Sequence, residues 1–566
     1  MKKLFKIGLV ALGFLGVSKT MDAQAISSRL FGVNAWMADT IGDFYNCPDP
    51  SCFKNGKLHK QWGQIKESNT KIVRYGGISP DQNKPTKFQY IRIIDSIRAK
   101  GMEPLIQVSY WDNRYTAAEA ADLVHFVNIV NGRNVKYWSI ANEPNLLYGY
   151  TTAAQVAAYF KPFASAMKNA DPSIKIVGPE TASFKRAIID GVTNPGGPDD
   201  LTGKDAAGRY YVDVISFHSY PMMDGTYPRA DAIGKLTSSG NLQDNLNYLN
   251  TRIAACNTFH NRTGAYALKT AVTETNVNYN NATTDNLYGV GSNSFFGGQF
   301  VCEIFGIGAK AGVDFMNLWS VIEGGSNVVN NGGFLDGSTG NKKPLFYHFQ
   351  MMAGAFKGNS IDATDNQTNV KTFACKNGQE TTVLILNEDL TSNFNYALKL
   401  STGTISGTSP LKINVNSGIA IEYNEVIQNQ STVMLTFNAT GVLIKKTEYT
   451  LAGHAVANLP PTVTNYNITT GIGTVENATS AAFDIKVYPN PSTGRFTVQL
   501  EGASLEDKDY DVEVISLLGQ QVYKNKSFFK EGKEEIDLNA GIAQGAYILR
   551  VKQDSKIITK RIILNK

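Results

Sequence analysis

At 566 residues the chain exceeds one typical domain, and two to four are expected. A hydrophobic share of 42% with 18% charged residues excludes a disordered polypeptide. Much of the +5 formal charge sits in the first 23 residues; without their four lysines and one aspartate it falls to +2, which leaves no electrostatic reason to bind nucleic acid.

The chain opens with MKKLFKIGLVALGFLGVSKTMDAQA. Early lysines, an apolar run from Ile7 to Val17 and small residues after it have the layout of a cleaved secretory signal over residues 1–23. Cleavage is expected near Ala23 or Ala25, and no cysteine stands at the junction to carry a lipid. No later segment is long and apolar enough to span a membrane.

From Leu30 to Phe356 eight short apolar runs alternate with stretches of helical period. The runs are LFGVNAW (30–36), KIVRYGG (71–77), PLIQVSY (104–110), YWSIANE (137–143), IKIVGPE (174–180), DVISFHSY (213–220), TAVTETN (270–276) and DFMNLWSV (314–321). Between them, FQYIRIIDSIRAKG and AQVAAYFKPFASAMKNADP place apolar residues every three or four positions and end in the stop signals Gly101 and Pro172. Strand and helix in alternation give an α/β protein with a parallel sheet, and eight units fit a closed (β/α)₈ barrel over residues 26–356. Trp138 begins its run and Trp62 falls in a helical stretch, so both belong to the core.

After YHFQMMAGAF the texture changes. Residues 357–452 carry alternating runs such as TTVLILNED and STVMLTFNA, which read as an antiparallel β-sandwich. Residues 453–483 read as a linker, and 484–566 as a last β-rich segment. Of five cysteines, Cys47 and Cys52 fit a small disulfide loop, and Cys256 and Cys302 either pair or stay as buried thiols. No Cys or His cluster has metal-ligand spacing.

In a barrel of this type chemistry belongs at the C-terminal strand ends. Glu143 closes the fourth run and Glu274 the seventh. Arg74, His218, Tyr220 and Trp319 hold similar positions on the second, sixth and eighth, and Trp36 and Trp111 end the first and third. Two carboxyl groups facing each other across one mouth suit glycosidic bond cleavage, where one must donate a proton and the other must be ionised. Asn142 can bond a substrate hydroxyl, and Pro144 turns the chain out of the strand. The plainer readings are a structural ion pair for Arg74, a core histidine at His218 and simple packing for Trp36.

Taken as a set, Asn-Glu-Pro ending the fourth run, a glutamate ending the seventh, His-x-Tyr after the sixth and a tryptophan on the eighth resemble the clan A glycoside hydrolases. The resemblance covers residues 30–350. It implies Glu143 as acid/base, Glu274 as nucleophile and Asn142 as a contact to the sugar 2-hydroxyl, with Arg74, His218, Tyr220, Trp319, Trp111 and Trp36 around the substrate. Arg-Tyr-Gly-Gly and the barrel-plus-sandwich plan are similar to family 44 endoglucanases, family 39 xylosidases, family 51 arabinofuranosidases and family 79 glucuronidases, without a close match to one of them. The final segment, with YPNPSTGRF, LLGQQVY, GAYILRV and KIITKRIILNK, resembles the C-terminal sorting domain of the Bacteroidetes type IX secretion system. An ordinary carbohydrate-binding sandwich is the alternative there.

These readings predict a secreted or surface-held, retaining hydrolase of a β-linked polysaccharide, cut internally. The substrate is expected to be a β-glucan first, then xylan, mannan or an algal galactan. An exo-acting glycosidase and a non-catalytic glycan-binding barrel are the alternatives. No cofactor or metal is expected, the partners are the glycan and the type IX machinery, and the chain is expected to be a monomer.

Overall fold

A computed structural model describes residues 24–36, 57–225, 227–323, 331–405, 407–466, 484–501, 509–516, 521–538, 542–553 and 556–565. The expected signal and the Cys47–Cys52 loop lie outside them. The chain divides into two compact units between residues 468 and 469.

In the first unit, β1 (Phe31–Ala35), β2 (Ile72–Tyr75), β3 (Glu103–Val108), β4 (Tyr137–Ile140), β5 (Lys175–Thr181), β6 (Val214–Ser219), β7 (Lys269–Thr275) and β8 (Phe315–Leu318) are parallel neighbours in that order. β8 pairs with β7 on one side and β1 on the other, so the sheet closes into the expected barrel. The crossovers include α1 (Ile78–Gln82), α2 (Lys87–Ala99), α3 (Pro144–Leu147), α4 (Ala153–Ala170), α5 (Leu242–Phe259), α6 (Phe295–Lys310) and α7 (Pro344–Ala355). Thr86 and Thr152 start α2 and α4 with capping boxes, each completed by a glutamine three residues on. Gly101, just beyond α2, has φ +76°, the left-handed backbone that ends helices.

The lumen is filled in layers. Ile72, Leu105, Tyr137, Val177, Val214, Ala271 and Phe315, one from each of β2 to β8, form a closed apolar floor. Two residues further along, strand alternation places Arg74, Gln107, Ser139, Ser216, Thr273 and Asn317, joined by Asn34 from β1, all buried. The barrel is therefore dry and apolar below and polar above. Trp138 and Trp62 are buried outside it, in the layer between strands and helices.

The sandwich follows as β9 (Asn359–Ile361), β10 (Ala363–Thr364), β11 (Val370–Asn377), β12 (Glu380–Asn387), β13 (Phe394–Lys399), β14 (Leu411–Val415), β15 (Glu422–Ile427), β16 (Ser431–Phe437), β17 (Leu443–Thr450) and β18 (Thr462–Asn465). One sheet runs β9-β11-β12-β16-β17-β18 with the two-residue strand Gln24–Ala25 added at the β9 edge; the other is β10-β14-β13-β15. Two details differ from expectation. β13 and β14 run parallel, and β18, inside the stretch read as linker, is hydrogen-bonded to β17. The larger sheet turns Phe373, Leu384, Leu386, Met434 and Tyr449 into the same core as α6 and α7. Its other face packs on the smaller sheet around Ile385, Leu398, Ile413 and Leu435.

Cys256 on α5 and Cys302 on α6 are free and buried. Their thiols face different acceptors, the carbonyls of Thr193 (3.3 Å) and His348 (3.6 Å), so the possible disulfide is not formed.

The second unit comprises β19 (Asp484–Tyr488), β20 (Arg495–Glu501), β21 (Asp509–Ser516), β22 (Gln521–Phe528), β23 (Lys533–Asp537), β24 (Gly545–Gln553) and β25 (Lys556–Leu564). They form sheets of order β19-β20-β23 and β22-β21-β24-β25 around Val498, Val512, Ile536, Leu549 and Ile562.

Candidate active site

Arg74 organises the polar layer. Its Nη1 donates to Asn34 Oδ1 and Glu274 Oε1, both at 2.9 Å. Its Nη2 donates to Glu180 Oε2 (2.6 Å), Asn142 Oδ1 (2.8 Å) and Gln107 Oε1 (3.0 Å). The guanidinium is fully buried, and the two carboxylates beside it keep it charged against its loss of hydration.

Three glutamates reach this layer, each through a departure from regular strand geometry. On β7, Ala271 faces the lumen, so plain alternation would send Thr273 inward and Glu274 out to the helices. The ladder instead skips a residue: Phe217 pairs with Val272, but His218 pairs with Glu274. This bulge turns Glu274 inward. On β5 the same happens at Glu180, which falls between the pairs Pro179–Ser216 and Thr181–Phe217 and has φ +53°. After β4, Ala141 and Glu143 both take left-handed backbone, φ +67° and +44°. Each such residue costs about 1–2 kcal/mol, and hydrogen bonds from Ala141 N–H to Val108 O (3.1 Å) and from Glu143 N–H to Glu180 O (3.0 Å) help offset it.

Glu143 and Glu274 face each other over this layer. His218 stands between them, with Nδ1 at 2.8 Å from Glu143 Oε1 and 3.4 Å from Glu274 Oε2. One oxygen of each carboxyl group and a ring nitrogen of His218 all lie within 4.8 Å of one another, and these are the residues able to hold a metal ion among those described. Tyr220 donates its hydroxyl to Glu274 Oε2 at 2.8 Å. Glu274 is thus gripped on both oxygens, by Arg74 and by Tyr220.

That difference in partners separates the two carboxyl groups. Burial pushes Glu143 up to about 7, opposed only by the charge of Arg74. Burial also raises Glu274, with the charge of Glu143 adding to it, while His218, Arg74 and the Tyr220 hydrogen bond pull it back. Burial lowers His218, which leaves its ring neutral, and holds the Tyr220 phenol protonated as a donor.

The aromatic rim is uneven. Trp319, joined to Ser320 by a cis peptide, lays its ring over Gly77, whose φ of +109° and lack of Cβ permit the contact. Trp36 flanks the same glycine. Trp319 Nε1 donates to Glu323 Oε1 at 2.9 Å, and burial pushes Glu323 up to about 7. Trp111 packs edge-on against Tyr148, with ring centres 5.9 Å apart. Tyr279, exposed, stands edge-on to Tyr220.

Of the residues singled out from sequence, the structure gathers Glu143, Glu274, Asn142, Arg74, His218 and Tyr220 into one bonded cluster, with Trp319 beside it and Trp36 and Trp111 on the rim. Sequence reasoning missed Asn34, Gln107, Glu180 and Glu323. Asn34 and Gln107 carried a signal, a single polar residue inside an otherwise apolar run. Gln107 bonds Gly77 in both directions: its Oε1 accepts the Gly77 N–H at 2.8 Å, and its Nε2 donates to the Gly77 carbonyl at 3.2 Å.

Comparison with known proteins divides along the chain. Residues 486–565 match the family described as a secretion system C-terminal sorting domain. This segment is a type IX sorting domain. It addresses the protein to the cell surface or the extracellular space. Among the described residues no helix is long and apolar enough to cross a membrane. The chain is also similar, at 34% identity over 82 residues, to the ulvan lyase NLR42 of Nonlabens ulvanivorans. That match spans 14% of each protein.

For the first unit the likeness is one of fold. The α-L-arabinofuranosidase of Thermotoga maritima, solved with arabinose, superposes with a TM-score of 0.50 at 15% identity, over 73% of this chain and 97% of that one. A family 44 xyloglucanase of Paenibacillus polymyxa gives 0.49 at 13% identity, over 74% and 97%.

Proposed function

We propose that the protein is a retaining glycoside hydrolase that cuts a β-linked polysaccharide internally, outside the cell. The observation that carries this reading is the pair of carboxyl groups, Glu143 and Glu274, with oxygens within 4.8 Å of each other over the barrel mouth. Retaining enzymes hold their carboxyl groups about 5–5.5 Å apart, and inverting ones leave roughly 6.5–9.5 Å for a water. Glu274, gripped by the Tyr220 hydroxyl and by its ion pair with Arg74, attacks the anomeric carbon. Glu143, whose proton is held by burial, protonates the departing oxygen and then activates water to release the glycosyl-enzyme. Asn142 is oriented by Arg74 to meet the sugar.

The barrel fold shared with an arabinofuranosidase supports a glycosidase, and the type IX address supports a substrate too large to enter the cell. Trp319, Trp36, Trp111 and Tyr279 offer flat apolar faces for successive sugars, which favours internal cleavage. A β-glucan is the first candidate, with xylan, mannan and algal galactan after it.

The test is a polysaccharide panel read by reducing ends released and by the size of the first products. Oligomers are expected first; monosaccharides alone would make the enzyme exo-acting. Proton NMR of the initial product should show the retained anomer, and an inverted anomer would refute the mechanism. Glu274→Gln and Glu143→Gln are expected to lose turnover on natural glycan with unchanged circular dichroism, and full activity in Glu274→Gln would displace it as nucleophile.

A further inference from the structure

The turn that carries Glu143 is tied to a carboxyl group with no other evident task. Asp81, in α1, is fully buried. Its Oδ1 accepts the backbone N–H of Tyr110 at 2.8 Å, just after β3. The backbone N–H groups of Trp111 and Asn142 lie close enough to the same carboxyl group to favour its charge. Its Oδ2 receives the hydroxyl of Tyr148, which follows α3. One side chain therefore joins the loops after β2, β3 and β4, bonded to the third through Tyr148 and adjacent to it on the other side of Glu143. Asn142 is the residue before; Tyr148 follows at the far end of the short helix that begins at Pro144.

The backbone there needs holding. Ala141 and Glu143 take left-handed conformations that their own side chains disfavour. The carbonyl of Glu143 accepts the N–H groups of Leu146 and Leu147, both at 2.9 Å, so a shift of α3 would carry Glu143 with it. Tyr148 is itself boxed in by Tyr110, Trp111 and Tyr150, whose ring centres lie 5.4, 5.9 and 5.6 Å away.

We propose that Asp81 is the positioning residue of the proton donor: acting through Tyr148 and the short helix before it, it fixes where the Glu143 carboxyl group meets the leaving oxygen. This rests on Glu143 being the acid. Asp81 touches neither substrate nor the reacting atoms, and its effect is confined to steps in which Glu143 moves a proton.

Leaving-group dependence tests this, because a dinitrophenolate departs without a proton and a sugar alcohol does not. For the sugar identified by the panel, kcat/KM is measured on the dinitrophenyl glycoside and on the natural oligosaccharide. Asp81→Asn is expected to lose on the order of a hundredfold on the oligosaccharide and little on the dinitrophenyl glycoside. Tyr148→Phe, which removes one bond and leaves the buried carboxyl group in place, should show the same split to a smaller degree. An equal loss on both substrates, or no loss in either variant, overturns the proposal. Glu143→Gln is run beside them. If it splits the substrates while Asp81→Asn and Tyr148→Phe do not, the positioning role alone falls. If Glu143→Gln shows no split, the acid assignment and the role of Asp81 fall together.

Discussion

Arg74 makes five hydrogen bonds from two nitrogens, so three acceptors at Nη2 share two hydrogens. Its charge acts unequally on the two carboxyl groups of the proposed reaction. Glu274 lies in its direct grip; Glu143 feels it only at a distance and shares its proton site with the neutral ring of His218. The proton therefore belongs to Glu143. A pH profile follows from that. Since the acid must carry its proton, kcat/KM is expected to fall as pH rises through about 7, the value to which burial pushes Glu143. On the acid side, activity falls as Glu274 takes up a proton. A profile flat across neutral pH would separate Glu143 from proton donation.

At the level of strands and helices, the plan of the barrel was open to a reader of the sequence. All eight apolar runs became strands, because a parallel strand buried on both faces must be almost wholly apolar. Glu143 and Glu274 could be found because strand ends are where such barrels keep their polar groups. Glu180 could not. In IKIVGPE its position, counted from Val177, belongs to the outer face, and only the bulge after Pro179 reverses it. Glu323 lies beyond β8 in a segment with no periodicity to read. Asp81 is hidden differently, in the short α1, where nothing local says that its partners lie on two other loops. The bulge in β7 makes its own prediction. Deleting Thr273 removes the extra residue and leaves Glu274 two places after Ala271, where plain alternation points it inward, so turnover is expected to persist. Circular dichroism should keep the barrel signature. Loss of turnover with the barrel intact would mean that the bulge itself, and not only the register opposite His218, orients Glu274.

Across the whole molecule, the sandwich is part of the barrel's support. Gln299 on α6 donates to the carbonyls of Asn387 and Ser431 at 3.1 and 3.0 Å, and His348 on α7 meets Thr432 at 2.8 Å. Between these bonds lies a buried acidic pair, Glu303 on α6 and Glu388 after β12. Burial and the mutual hydrogen bond lift Glu303 far above the usual carboxylate range, and burial raises Glu388 as well, with Lys371 and Arg229 partly opposing it. Carboxyl groups raised on folding favour the native state below their unfolded value, near 4.5, and that support is lost as pH climbs through the folded value. Glu303→Gln, which keeps a hydrogen bond without the charge, is expected to raise the melting temperature in alkaline buffer by roughly 2–4 °C. In mildly acidic buffer it should change little. Equal shifts in both buffers would show that the pair does not titrate across this range.

Because β11, β12, β16 and β17 lend their outer face to the same interior as α6 and α7, cutting the chain at the end of α7 would strip away one wall of that hydrophobic interior. Phe295 and Tyr347, which pack on Tyr449, would lose that cover, and the trimmed product would be prone to clump. The smallest portable unit for the proposed reaction therefore spans the residues from Gln24, whose strand edges the larger sheet, through Asn465, which ends it. An engineer moving the proposed activity to another host can exchange the export tag, but must carry barrel and sandwich as a single piece of cargo.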